Sequence, residues 1–337
     1  MAKQLFYRQG TAEAFYYVDN QGNHVSDVDA LNQIKGLVIP PAWVRVEINL
    51  SPRAKVRATG IDDAGRKQYI YDPKFREKQE RAKFDRILAF ANALPMMRRV
   101  TGEHLKQPEL NRQKVLACMV RLIDLAYFRV GSERYAEENH TYGIATMRSR
   151  HLTIDGDKMI FHYIGKRDKE HVQEVEDSQL AKIVRELDHL PGYEIFKYYD
   201  ETGQLIDVKS QDLNDYIKEV MGYDFSAKDF RTWAGTLIAA VALAEVDKAK
   251  SQTAAKRNVA AAVRHVSEHL GNTPAIARAS YIDPRIIDFY LSGQTIRSYL
   301  KQVDKYLLSP ESDHFSQAEV AVLKLLKRQL RHKVGQD

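Results

Sequence analysis

The hydrophobic positions of this chain change their spacing near residue 75. From Leu5 to Tyr71 they come in short runs rich in Val, Ile, Tyr and Phe, broken at Asn20-Gln21-Gly22, Pro40-Pro41 and Ala64-Gly65. Such runs predict a small antiparallel sheet domain, with VRATGIDDAGRKQYIY as a hairpin turning over Asp62 to Gly65. From Phe75 the spacing is helical, and EKQERAKFDRILAFANAL puts Phe84, Ile87, Leu88 and Ala91 on one face. A boundary is expected near residues 74–82, dividing the chain into 1–78 and 79–337.

Beyond it, QKVLACMVRLIDLAYF predicts an amphipathic helix. A strand pair is expected across His151 to Val175, its first hairpin turned by Asp155-Gly156, and YEIFKYYDETGQLIDV predicts another short hairpin. Helices are expected over 212–221, 226–246, 251–270, 284–291 and 317–332. The fold class is therefore α+β: an amino-terminal antiparallel sheet domain followed by a mainly α-helical domain that carries a β-hairpin.

A chain of 337 residues with 44% apolar residues can bury a sizeable core, and its length suggests two domains. Its 51 Lys+Arg against 45 Asp+Glu give a net charge of +6, which leans towards a polyanionic partner without naming one. Cys118 is the single cysteine, so no disulfide or cysteine metal site forms within the chain, which fits a cytosolic compartment. No stretch approaches about 18 consecutive apolar residues, and MAKQLFYRQG lacks the apolar centre of a signal peptide. A soluble chain without a membrane partner is the expectation. No G-x-x-x-x-G-K-[ST] and no G-x-G occurs, so no nucleotide cofactor is expected. His265 and His269 have a spacing that can hold a metal, but no HExxH pattern accompanies them, and no metal site is expected.

Between Lys74 and Lys106 there are nine Lys/Arg and four Asp/Glu, with Arg76, Arg81, Lys83 and Arg86 leading into the first long helix. With Arg66 and Lys67 of the preceding hairpin, these residues form a candidate phosphate-binding surface. The ordinary reading of such a stripe is a solvated helix face.

Phosphodiester transfer without a metal needs fixed cations or donors around the phosphate, a proton donor for the leaving oxygen and a nucleophile. FRVGSERY puts Arg129 at the end of an apolar helix, just before Gly131 and the helix-starting Ser132, although helix-end arginines ordinarily meet carbonyls. FHYIGKRDKEHVQEV puts Lys166 at a hairpin tip, from which a flexible ammonium can reach a ligand; most such turns are simply polar. SAKDFRTWAG sets Lys228 and Arg231 one turn apart on a helix capped by Ser226, so both can face one site. LGNTPAIARASY carries Asn272 and, nine residues on, Tyr281; a lone helical tyrosine ordinarily packs.

Together, FRVGSERY, the hairpin GK, KDFRTWAG and LGNTP followed by SY resemble the active-site blocks of type IB DNA topoisomerases, in the family's order and with closely similar spacing. IPPAW at 39–43, ATGIDDAGRKQYIY and RAKF at 81–84 resemble the short bacterial members, so the likeness covers essentially the whole chain. The resemblance implies that Tyr281 is the nucleophile, that Arg129 and Arg231 hold the scissile phosphate, that Lys166 protonates the departing 5′ oxygen and that Lys228 assists. It implies transient single-strand cleavage of duplex DNA through a 3′-phosphotyrosyl intermediate, strand swivelling and religation without ATP or metal. The expected partner is double-stranded DNA, clamped by a monomer associated with the nucleoid. Two departures matter. Asn272 stands where the poxvirus and larger cellular enzymes carry histidine; an amide donates a hydrogen bond but cannot titrate, and the bacterial members also carry asparagine. The order GKRD replaces the more usual GKD, which leaves Lys169 as an alternative to Lys166. Tyrosine recombinases share this chemistry, but their H-x-x-R is K-x-x-R here and the IPPAW-type domain is not theirs. A DNA-binding module that has lost catalysis would show gaps among Tyr281, Arg129 and Arg231.

Overall fold

The β-prone runs of the amino-terminal region form strands β1 (Leu5–Thr11), β2 (Ala14–Asp19), β3 (Val44–Asn49), β4 (Val56–Ile61) and β5 (Lys67–Tyr71). In the computed structural model, which describes residues 5–11, 14–166, 168–222, 224–300 and 316–334, they lie in one antiparallel sheet in the order β2-β1-β3-β4-β5. The β4–β5 turn closes as its sequence predicts: Gly65, at φ +71°, donates to Asp62 O at 2.9 Å, and Asp62 donates to Arg66 O at 2.9 Å. Phe6, Val46, Ile48, Leu50 and Ala58 form the small core with Ala30 and Ile34 of helix α1 (Val28–Gly36). The short sequence of α1 buries only those two residues, so its apolar periodicity is too faint to stand out. Trp43 of the IPPAW run packs on Gly60, where a Cβ would come within 2.7 Å of the indole.

The chain divides into two units, Met1–Asp85 and Arg86–Asp337, and the division falls inside one continuous helix, α2 (Pro73–His104). After it come α3 (Arg112–Ala126), α4 (Glu133–Asn139), strands β6 (Leu152–Asp155), β7 (Lys158–Gly165) and β8 (Lys169–Glu176), and α5 (Ser178–Asp188). Strands β9 (Lys197–Tyr199) and β10 (Leu205–Asp207) pair as the second hairpin. The helices α6 (Ser210–Met221), α7 (Ala227–Glu245), α8 (Gln252–His269), α9 (Pro274–Ser280), α10 (Pro284–Leu291), α11 (Arg297–Leu300) and α12 (Gln317–Val334) complete the unit. Among the described residues no helix is long and apolar enough to cross a membrane.

Two expectations are corrected here. The strand pair of 151–175 is a three-stranded sheet in the order β6-β7-β8. The helix α3 is buried all round its middle and not on one face alone: every position from Lys114 to Val120 is buried, as befits a helix surrounded by others. Around it, one ionic network joins four helices. Arg98 of α2 donates from Nε to Asp124 of α3 at 2.7 Å and from Nη1 and Nη2 to Glu319 of α12 at 2.9 and 3.0 Å. Trp233 Nε1 of α7 donates to the same Glu319 at 2.9 Å. Burial alone would push the Glu319 carboxyl up, but Arg98 holds it below the usual range. Removing Glu319 leaves the buried Trp233 N–H without its acceptor and Arg98 with Asp124 as its remaining carboxylate partner, so Glu319→Ala is expected to cost about 1–3 kcal/mol, read as a lower urea midpoint at unchanged slope. Because the folded carboxyl titrates below the unfolded one, this contribution is present at neutral pH and is lost as pH falls through the lowered value.

Candidate active site

Arg129 does not end a helix. The chain leaves α3 at Tyr127, a left-handed cap at φ 59°, and Arg129 sits on the extended link beyond it. This link is pinned on its far side: Ile144 and Ala145 donate to the carbonyls of Arg129 and Val130 at 2.8 and 2.7 Å. Gly131 and Gly143 let the two backbones cross, since a Cβ on Gly131 would lie 2.9 Å from Gly143 Cα.

The guanidinium of Arg129 reaches the carboxyl end of α8. Its Nη2 donates to Gly271 O at 2.9 Å and to Asn272 Oδ1 at 2.7 Å, and its Nη1 lies 3.0 Å from Nε2 of His171 on β8. Arg231, 4% exposed on α7, meets the same turn, donating from Nη2 to Leu270 O at 2.6 Å and from Nη1 to Tyr127 O. Burial and the neighbouring Arg231 lower the pKa of Arg129, which nonetheless remains a cation at neutral pH. The acceptor demand of Arg129 also orients Asn272. With Oδ1 committed to the guanidinium, Nδ2 is the buried end of the amide without a hydrogen-bond partner, as is Nε of Arg231. Two donors are thus left unused beside two cations.

Tyr281 follows α9 as its C-cap residue, at φ −127°, and is not part of the helix. Its N–H donates to Ala277 O at 3.0 Å, and Thr236 Oγ1 of α7 lies 3.3 Å from its carbonyl. Its ring lies under Arg231, whose guanidinium carbon is 5.3 Å from the ring centre. Arg129, Arg231, Asn272 and Tyr281 therefore belong to one cluster. Lys228, on the first turn of α7, is exposed while Arg231 is buried. Lys166 is exposed at the turn after β7, and Lys169 opens β8. In the amino-terminal unit, Arg66 is paired with Asp62 at 2.9 Å and Lys67 lies over the Tyr69 ring at 5.8 Å. Arg76 is exposed on α2, Lys83 lies 4.8 Å from the Phe84 ring centre, and the side chain of Arg81 is outside the described residues.

His171 is absent from the residues that the motifs nominate. The signal was there: in KEHVQEVE the positions His171 and Val175 face inward while Glu170, Val172 and Glu174 face out, so one histidine sits on the buried side of a strand.

The family model described as the eukaryotic DNA topoisomerase I catalytic core matches residues 72–306, which span the three-stranded sheet and every member of the cluster. Residues 14–62 match the model for the bacterial DNA topoisomerase IB amino-terminal domain, and the chain belongs to the type IB DNA topoisomerase family. Its relatives include DNA topoisomerase 1B of Acanthamoeba polyphaga mimivirus, 30% identical over 294 residues that cover 84% of this chain and 87% of the viral one. DNA topoisomerase 1B of Vaccinia virus (strain Copenhagen) is 24% identical over 262 residues, 76% and 79% of the two chains. DNA topoisomerase 1 of Candida albicans is 24% identical over 265 residues, 74% of this chain and 32% of that one.

The backbone of Tyr281 rests directly on Gly235 of α7, where a Cβ would come within 2.7 Å of the Tyr281 carbonyl oxygen and 2.9 Å of its Cβ. Both contacts are with backbone or the root of a side chain, which cannot swing aside. Gly235→Ala is expected to destabilise the protein by about 1–3 kcal/mol through this overpacking, measured by urea unfolding. A fully wild-type midpoint would show that Tyr281 is not seated on α7.

Proposed function

We propose that this topoisomerase cuts and reseals DNA through Tyr281, with Arg129, Arg231 and Asn272 as the phosphate-binding groups. The observation that carries the reading is the pair of unused buried donors, Asn272 Nδ2 and Arg231 Nε, beside two guanidinium groups and a tyrosine ring. A phosphodiester supplies the negative charge and acceptor oxygens that this cluster lacks. Tyr281 Oη attacks phosphorus, the bond to the 5′ oxygen breaks, and the phenolic proton passes to solvent as the ester forms. Lys166 protonates the departing 5′ oxygen, with Lys228 assisting. A free tyrosine has a pKa near about 10 and is a poor nucleophile at neutral pH, so two nearby guanidinium groups lower the barrier by stabilising the developing phenolate and the pentacoordinate phosphate. One diester is exchanged for another, so the strand can swivel and reseal without ATP. The chain acts as a monomer on duplex DNA in the nucleoid, without nucleotide, and the amino-terminal unit adds phosphate contacts.

Tyr281→Phe is expected to bind duplex DNA normally and to lose covalent capture. Trapping the wild-type adduct on a bridging-sulfur substrate and sequencing the DNA-linked peptide is expected to return Tyr281 on a 3′ phosphate; another residue or a 5′ linkage overturns the assignment. Arg129→Ala and Arg231→Ala are each expected to slow single-turnover cleavage about 10²- to 10³-fold with binding nearly kept. Asn272→Ala costs less, because a neutral donor is weaker than a charged one. Relaxation of a supercoiled plasmid is expected to persist in excess EDTA without nucleotide. Binding is expected to weaken with salt at a log-log slope of about −0.9 per phosphate neutralised, and a slope near zero counts against phosphate-dominated binding.

A further inference from the structure

We propose that His171 is a positioning residue for Arg129: a neutral imidazole whose Nε2 accepts an N–H of the guanidinium and fixes the plane in which its remaining donors meet the scissile phosphate. This inference rests on the active-site reading above. A guanidinium has no lone pair to offer, so across the 3.0 Å contact Arg129 Nη1 is the donor and Nε2 the acceptor. The proton of the imidazole is then on Nδ1. A doubly protonated ring would have no acceptor at Nε2 and would put a second cation against Arg129.

The ring has little freedom to do anything else. It stacks on Tyr163 of β7, its cross-strand partner, with ring centres 5.2 Å apart and planes inclined by 14°. Backbone closes on both its edges. A Cβ on Gly165 would lie 2.5 Å from Cδ2, and one on Gly271 would lie 2.0 Å from Cε1. A histidine that only filled space would not need two glycines to admit it edge-on with its Nε2 turned to a guanidinium.

The charged and titratable groups around the ring agree with a neutral state. Arg129 faces it from the link after α3, Arg231 from α7 and Lys169 from its own strand. Burial and these cations push the imidazole down to about 4, while burial pushes the Tyr163 phenol up to about 12, so neither changes charge near neutrality. With His171 Nε2, Gly271 O and Asn272 Oδ1 each taking one N–H, three of the five N–H groups of Arg129 are fixed by the protein. The Nε–H and one N–H of Nη1 remain for the phosphate. His171 also stands on β8, the strand that returns from the Lys166 turn, so the same contact joins that hairpin to Arg129.

The test separates acceptor from filler. His171→Phe keeps an aromatic ring and removes the acceptor; His171→Gln lacks the ring but offers Oε1 near the position of Nε2. Single-turnover cleavage is expected to fall about 100-fold in His171→Phe, as for a misplaced reacting group, with DNA affinity near wild type and cooperative unfolding retained. His171→Gln is expected to recover most of that rate. A purely structural role predicts the reverse order, and a His171→Phe rate equal to or above that of His171→Gln overturns the proposal. Nitrogen-15 NMR of the full wild-type chain gives a readout independent of both variants: a neutral Nδ1–H imidazole at pH 7 is expected, and a doubly protonated or Nε2–H ring refutes it. If Arg129→Ala cleaves at the wild-type rate, the active-site reading itself has failed; if Arg129→Ala is crippled and His171→Phe is not, only the role of His171 has failed.

Discussion

Two guanidinium groups, that of Arg231 buried and that of Arg129 half-buried, meet at the carboxyl end of α8, and the rest of the site is arranged around keeping them there. Burying a charge is costly unless it is paired, and the usual partner is a carboxylate. Among the described residues, every hydrogen-bond partner of Arg129 and Arg231 is neutral: the carbonyls of Tyr127, Leu270 and Gly271, the amide oxygen of Asn272 and the imidazole of His171. The carbonyls at a helix carboxyl end carry partial negative charge, which makes this turn a suitable seat for cations. A carboxylate would hold the arginines more tightly but would cancel the field that a phosphodiester needs. Carbonyl partners stabilise the cations and leave their charge in place.

Much of this was legible in the sequence, because the cluster is assembled from four short blocks that each keep their candidate residue beside a constrained backbone. Arg129, Arg231, Asn272 and Tyr281 are nominated by motif and meet in space. Local geometry was less legible. The run from Val115 to Val120 is apolar at nearly every position, and from sequence alone a helix packed on all sides looks much like one with a single broad apolar face. The end of α3 is displaced from Arg129 because Tyr127 takes the left-handed cap, a conformation that nothing in tyrosine chemistry advertises. His171 and Glu319 escape notice for another reason: their partners lie far along the chain, at Arg129 and Arg98, and only the fold brings them together.

The glycines in the blocks show what a motif can state without explaining. Gly131 follows Arg129 by two positions, Gly165 precedes Lys166, Gly271 precedes Asn272, and Gly235 closes KDFRTWAG. Each stands where an added Cβ would strike another part of the site: Gly131 against Gly143, Gly165 and Gly271 against His171, Gly235 against Tyr281. They are spacing constraints. Without a Cβ, a backbone can approach a ring or another backbone closely enough for a short donor-acceptor contact to form without strain in the side chains that make it.

The same packing decides how the site responds to protons. Asn272 has no proton to lose, the carbonyls have none, and His171, pushed to about 4 by burial and by its cationic neighbours, is already neutral well above that value. The elements that orient Arg129 therefore keep one charge state across the neutral range. Had Asn272 been a histidine beside Arg129, the same burial and the same cation would bear on its protonation, and its value as a donor would depend on pH. An amide whose oxygen is claimed by Arg129 keeps its Nδ2–H₂ as a donor at any pH. With none of these groups changing charge near neutrality, the surroundings of Arg129 stay the same across that range.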